Sequence, residues 1–157
     1  MNPPHNYQSI KKSKEGFTLI EMLVVVAVIG LLSSVILVAL GPAKEKAKDS
    51  RIIQEVNQVR SLAETMYDGS YRILPQLPSV IEIGNKNLKE LADDIALQGG
   101  ALTIINPAPF KGYSAYSKLN TKLGDAANPV IQYYCIDSVG HSVNTTIEPS
   151  TPTCPVQ

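Results

Sequence analysis

The sequence has 157 residues, with 14 Lys and Arg against 14 Asp and Glu, and so a formal net charge of zero. A chain of this length holds one domain or one domain plus an appendage, and the charge balance excludes a strongly basic nucleic-acid binder and an acidic disordered tail. Its 44% apolar and 18% charged residues are an average over two unlike parts, a long uncharged run near the N-terminus and a polar remainder rich in Pro, Gly, Asn, Ser and Thr without Trp.

The first sixteen residues, MNPPHNYQSIKKSKEG, are polar and basic, with Lys11, Lys12 and Lys14 against Glu15. From Met22 to Leu40 no charge occurs, and only Gly30, Ser33 and Ser34 interrupt the apolar side chains. As a helix these nineteen residues reach about 28 Å, close to the ~30 Å hydrocarbon layer of a bilayer. The rest of the chain is too polar to surround such a helix, so the run is expected to span a membrane. Lys44, Lys46, Lys48 and Arg51 follow it, so Lys and Arg counting does not orient the span.

Glu21 is the anomaly. A carboxylate in an apolar helix costs about 2.5–3.5 kcal/mol at the bilayer centre and less near an end. Either Glu21 stays hydrated at the interface or it finds a cation. A cut between Gly16 and Phe17 would place a new α-amino group four residues before it. A neighbouring chain shifted along the axis could then pair its Glu21 with that amine, removing both penalties. The position also suits a negative charge, because it lies in the opening turns of a helix. Two other export readings stay open: an unprocessed signal anchor, and a signal peptide cut after the apolar run. For the latter Ala39-Leu40-Gly41 is nearly of the required small-residue type, but Pro42 follows and the run is long.

The segment KSKEG-FTLIEMLVVVAVIGLL resembles the cleavage and assembly segment of type IV prepilins and of the related pseudopilins of type II secretion. The matching pieces are a basic leader ending in Gly16, Phe17 after the cut, Thr18-Leu19-Ile20, Glu21 fifth in the mature chain, and an uncharged helix thereafter. The resemblance implies cleavage after Gly16 by a prepilin peptidase, N-methylation of Phe17, a cytoplasmic N-terminus, and assembly through Glu21 and Phe17.

Gly41-Pro42 punctuates the helix, where a kink or loosened turn is expected. Beyond it Ile52, Val56, Val59, Ala63 and Met66 recur at spacings of four and three, widened by Ile53 and Leu62. That is an amphipathic helix, which Asp68-Gly69-Ser70 ends. One helix therefore changes from apolar all round to one-sided near residue 43. The Lys44–Arg51 cluster reads as a solvated face, or as a patch for anionic headgroups or acidic neighbours.

The remainder reads as a small head. Pro75 and Pro78 mark a connection, and Asn87–Leu97 reads as a short helix capped by Asn87 and ended by Gly99-Gly100. Ile104–Phe110, with Pro107 and Pro109, reads as a loop or ragged edge. Three antiparallel strands are expected at Gly112–Leu119, Val130–Asp137 and His141–Ile147, packed on the Ile52–Met66 stripe. In an oxidising compartment Cys135 and Cys154 would bridge, closing a loop of eighteen residues worth roughly 3 kcal/mol of chain entropy. Such a C-terminal disulfide loop resembles that of many type IV pilins and is less usual in pseudopilins.

The fold class expected is α+β: a long N-terminal helix, half transmembrane and half amphipathic, packed on a small antiparallel sheet. The segments are a leader at 1–16, an assembly helix at 17–42, an amphipathic half at 43–68 and a head at 69–157. No catalytic constellation, metal-binding cluster or cofactor motif is found: His5 and His141 are far apart in sequence, Asp93-Asp94 reads as a solvated helix side, and Asn144-Thr145-Thr146 as a chance sequon. Tyr71, Tyr113, Tyr116, Tyr133 and Tyr134 read as core aromatics. The expected role is a structural subunit of a pilus-like filament, with copies of itself or other pilins, the prepilin peptidase and the cytoplasmic membrane as partners. The alternatives are a pseudopilin of a type II secretion system, or a minor tip pilin that binds DNA or a surface.

Overall fold

The computed structural model describes residues 16–77, 86–125 and 127–155. The expected leader, Gly16 apart, and Pro78 lie outside the described residues. The chain divides into two compact units, one ending at Ala39 and the other running from Leu40 to Gln157.

Helix α1 (Leu19–Thr65) begins in the first unit and ends in the second. Every residue from Gly16 to Ala47 is exposed among the described residues. The helix is long and apolar enough to cross a membrane. Pro42 lies inside α1, where Gly41-Pro42 had suggested a loosened turn; the helix is assigned through both residues.

In the second unit α1 turns one-sided. Ile52, Val56, Val59 and Ala63 are fully buried, four residues on one helical face, with Ile53, Leu62 and Met66 packed beside them. Met66 and Tyr67 close the last turn, and Gly69 follows with φ +99°. Helix α2 (Lys86–Leu97) adds Leu88 and Ile95 to the same core. It begins one residue earlier than the Asn87 cap implied, so Asn87 sits in its first turn. At its end the Gly100 N–H donates to the Ile95 carbonyl and the Gly99 N–H to that of Ala96. This closure needs the left-handed residue that Gly99 supplies at φ +92°.

Four strands follow, one more than the sequence suggested: β1 (Thr103–Ile105), β2 (Ser114–Lys118), β3 (Tyr133–Asp137) and β4 (Ser142–Thr145). They form an antiparallel sheet in chain order, with Cys135 opposite Tyr116 on one side and Val143 on the other. The extra strand is β1, which the nearby prolines had marked as loop. Pro107 and Pro109 stop it after three residues, yet Ile104 still pairs with Ala115 and exchanges two backbone bonds with Leu77.

Side chains leave alternate faces of the sheet. On the helix side Ile104, Tyr113, Ala115, Tyr134 and Ile136 join the α1 and α2 residues in one core. Tyr116 and Cys135 point the other way, where the bridge from Cys135 to Cys154 holds the C-terminal tail over Ile105, Tyr133 and Val143. The tyrosines thus serve packing: Tyr71 and Tyr113 meet edge to face at 4.8 Å, and Tyr116 and Tyr133 at 6.0 Å.

The core makes one prediction. Ile52→Ala leaves a hole under α1 and lowers head stability by about 2–5 kcal/mol, whereas Leu97→Ala, at an exposed side chain, changes it by less than about 0.5 kcal/mol. Urea unfolding of the full chain in detergent, followed by tyrosine fluorescence, measures the difference.

Candidate assembly site

The N-terminal end of α1 is built by three residues. Phe17 is exposed, and Thr18 precedes the first helical residue. The Glu21 N–H donates to Thr18 Oγ1 at 3.3 Å. In return one Glu21 carboxylate oxygen accepts the Thr18 N–H and the Thr18 hydroxyl, both at 2.8 Å. This is a reciprocal capping box, in which the cap hydroxyl and the third helical residue satisfy each other's backbone donors. The pattern Thr-x-x-Glu ahead of an apolar run was readable in the sequence, and Thr18 is the residue that reading overlooked.

The box explains how the carboxylate is carried on an apolar helix. Joined to Gly16, the Phe17 nitrogen is a peptide amide and offers no charge. Glu21 is then held by donors of its own chain, next to the positive end of the helix dipole. No other acidic or basic side chain lies between it and Lys44.

In the head, two buried carboxylates act as clamps. Asp137 ends β3 and is fully buried. Its oxygens accept the N–H groups of Val139, His141 and Cys154 at 2.9–3.1 Å, and the His141 ring lies 2.7 Å away. Arg60 of α1 donates to the carbonyls of Asp137 and His141 on the other side of the turn. One turn is thereby tied to the helix and to the disulfide-bonded tail. Asp49 is the second clamp. It is buried rather than part of a solvated face, and accepts the N–H groups of Asn120 and Thr121 and the Asn120 side chain. Arg51 stays exposed but pairs with Asp94 of α2 at 2.7 Å, so Asp94 is not merely solvated. Asp93 pairs with Lys89 on the surface.

Burial pushes both clamp carboxyls up, but the donors around them win. For Asp137 the Cys154 N–H and the His141 ring and N–H lower the pKa; for Asp49 Thr121 and Asn120 do so. Among the described residues no group of three or more His, Cys, Asp or Glu could hold a metal ion. His141 spends its Nδ1 on Asp137.

Residues 11–37 match the family model for the prokaryotic N-terminal methylation motif. The match covers Gly16, Phe17, Thr18 and Glu21 together with most of the apolar run. The chain is type IV prepilin-like. No curated protein and no solved structure matches it. The motif supports a pilin-like or pseudopilin-like chain, and implies processing by a prepilin peptidase, membrane anchoring and assembly with other pilins.

The clamps give the second unit an acid limit. Their folded pKa values lie below the unfolded carboxylate value of about 3.9, so their stabilisation is complete above it and is lost as pH falls through the folded values. Asp137→Asn therefore lowers the urea midpoint at neutral pH, and its gap from the parent narrows below about pH 4. A gap independent of pH would show that the charge of Asp137 contributes nothing.

Proposed function

We propose that this chain is a structural subunit of a type IV pilus-like filament. The peptidase removes residues 1–16 on the cytoplasmic side by cutting between Gly16 and Phe17, and the Phe17 amine is N-methylated. The mature chain waits in the cytoplasmic membrane with its head, residues 69–157, on the far side. It then enters the filament through the assembly helix at 17–42, while the 43–68 half of the helix packs against the head.

The observation that carries this reading is the conjunction of the methylation motif with one carboxylate on an otherwise uncharged apolar stretch. Lipid covers such a stretch in the membrane; once extracted, only the equivalent helices of other subunits can. On cleavage a charged amine appears four residues before Glu21. A neighbour's amine then replaces the Thr18 donors around Glu21, giving a charge-assisted contact that fixes the axial offset between subunits. The chemistry is binding and packing rather than catalysis.

The Cys135–Cys154 bridge favours a pilus over a secretion pseudopilus, because it seals the tail on the outer face of the sheet in the manner of a pilin disulfide loop. The zero net charge gives no support to DNA binding.

Intact-mass and N-terminal analysis of the native protein tests the processing step: a chain starting at N-methylated Phe17 is expected, and a start at Pro42 would mean an ordinary signal peptide. Replacing Gly16 by a bulky residue leaves the full-length form in the membrane. Glu21→Ala inserts normally but yields few or no filaments in sheared-surface fractions. Normal filament yield from that variant would refute the pairing.

A further inference from the structure

The C-terminal tail is seated on the sheet at three points besides its bridge. It leaves β4 at Glu148, whose carboxylate accepts the Tyr116 and Tyr133 hydroxyls at 3.2 and 3.4 Å. Further on, the Ser114 hydroxyl donates to the Thr151 carbonyl at 2.7 Å. Last, the Cys154 N–H donates to Asp137 at 3.0 Å, and the Cys154 sulfur joins Cys135. Ser114 and Asp137 are cross-strand partners, as are Tyr116 and Cys135. Residues two apart along a strand share a face, so these four stand together on the side of the sheet that the tail covers.

The two Asp137 oxygens divide their work. Oδ1 accepts the Val139 and His141 N–H groups and so holds the β3–β4 turn. Oδ2 accepts the Cys154 N–H and faces the His141 ring. The carboxylate thus fixes the backbone of one cysteine from a point two residues along the strand from the other. Cys135 is fully buried and Cys154 3% exposed, so an oxidant reaches neither sulfur in the closed form. The bridge therefore forms as a lifted tail comes down. Cys135 and Cys154 lie 19 positions apart, and a flexible connection of that length gives two thiols an effective concentration in roughly the millimolar range. A charge-assisted hydrogen bond made only by the seated tail raises it about tenfold or more.

We propose that Asp137, aided by Ser114 across the strand pair, positions the Cys135–Cys154 bridge by seating the tail on the sheet before the sulfurs join. The step takes a disulfide oxidant. One protein thiolate attacks the oxidant's disulfide and displaces a thiolate; the second then attacks the mixed disulfide and displaces the other. Two protein thiols lose two protons and two electrons, and the oxidant's disulfide leaves as two thiols. Seating acts on the second displacement, and it favours closure within one chain over a bridge between two. The inference goes beyond the filament reading and does not rest on it, since every residue it uses lies in the second unit.

The test equilibrates the full chain in detergent with mixtures of reduced and oxidised glutathione at neutral pH, and measures the bridged fraction after acid quenching and alkylation. In Asp137→Asn the amide oxygen can stay with the two turn donors, which leaves an NH2 group against the Cys154 N–H. Half-bridging of this variant is expected to need a mixture about tenfold more oxidising, with more glutathione adduct and more dimer. Ser114→Ala is expected to shift the midpoint severalfold in the same direction. Asp49→Asn removes the other buried clamp without touching the tail, and is expected to leave the midpoint in place. An unchanged midpoint in Asp137→Asn overturns the proposal. So does an equal shift in Asp49→Asn, which assigns the effect to the stability of the head rather than to seating. If reduced Asp137→Asn loses the near-ultraviolet tyrosine signal of the folded chain, Ser114→Ala and Asp49→Asn decide. A shift in Ser114→Ala alone supports seating, and no shift there, or the same shift in both, overturns it.

Discussion

Between Met22 and Leu40 the chain offers water nothing but apolar side chains and three small interruptions, on every side of a helix. These side chains are exposed, and the buried residues of α1 begin with Asp49 and Ile52 further along the helix. Such a rod is stable only while something apolar surrounds it, first lipid and then, in the filament reading, a bundle of identical rods. Lipid and bundle are about equally apolar, so the exchange between them has little hydrophobic driving force. A polar contact made in one and not in the other is what can set the direction and the register, and Glu21 is the group in this stretch that can make it.

The capping box adds a step to that picture. The Thr18 N–H and hydroxyl hold the carboxylate in its own chain. In the filament reading proposed above, the precursor is thus satisfied without a neighbour, and the demand for a partner arises with the free amine. The same logic runs through the buried carboxylates of the head, which are held by donors. Asp137 gathers the β3–β4 turn, the tail and, through the turn, Arg60; Asp49 fixes the connection after β2. Each joins segments distant in sequence, which is why each is buried.

Much of this was legible in the sequence. The uncharged run, the stripe from Ile52 to Ala63 and the strand around Cys135 follow from periodicity and composition, which are local properties. What escaped reading depends on distant partners. Asp49 looks like one more charge in a polar run until Asn120, 71 residues away, arrives to donate to it. Strand β1 has three residues and two prolines close behind, and is a strand because Ala115 and Leu77 flank Ile104. Thr18 escaped for another reason: its pattern was visible, but the charge of Glu21 drew attention to a partner outside the chain.

The bridge from Cys135 to Cys154 closes the outer face of the sheet with a tail too polar to settle there unaided. That closure exists only where thiols are oxidised. A subunit still inside a reducing compartment therefore carries an unfinished fold with one side of its sheet bare. In the filament reading, export and completion of the fold coincide, and the tail acts as a timestamp that records which side of the envelope the molecule has reached.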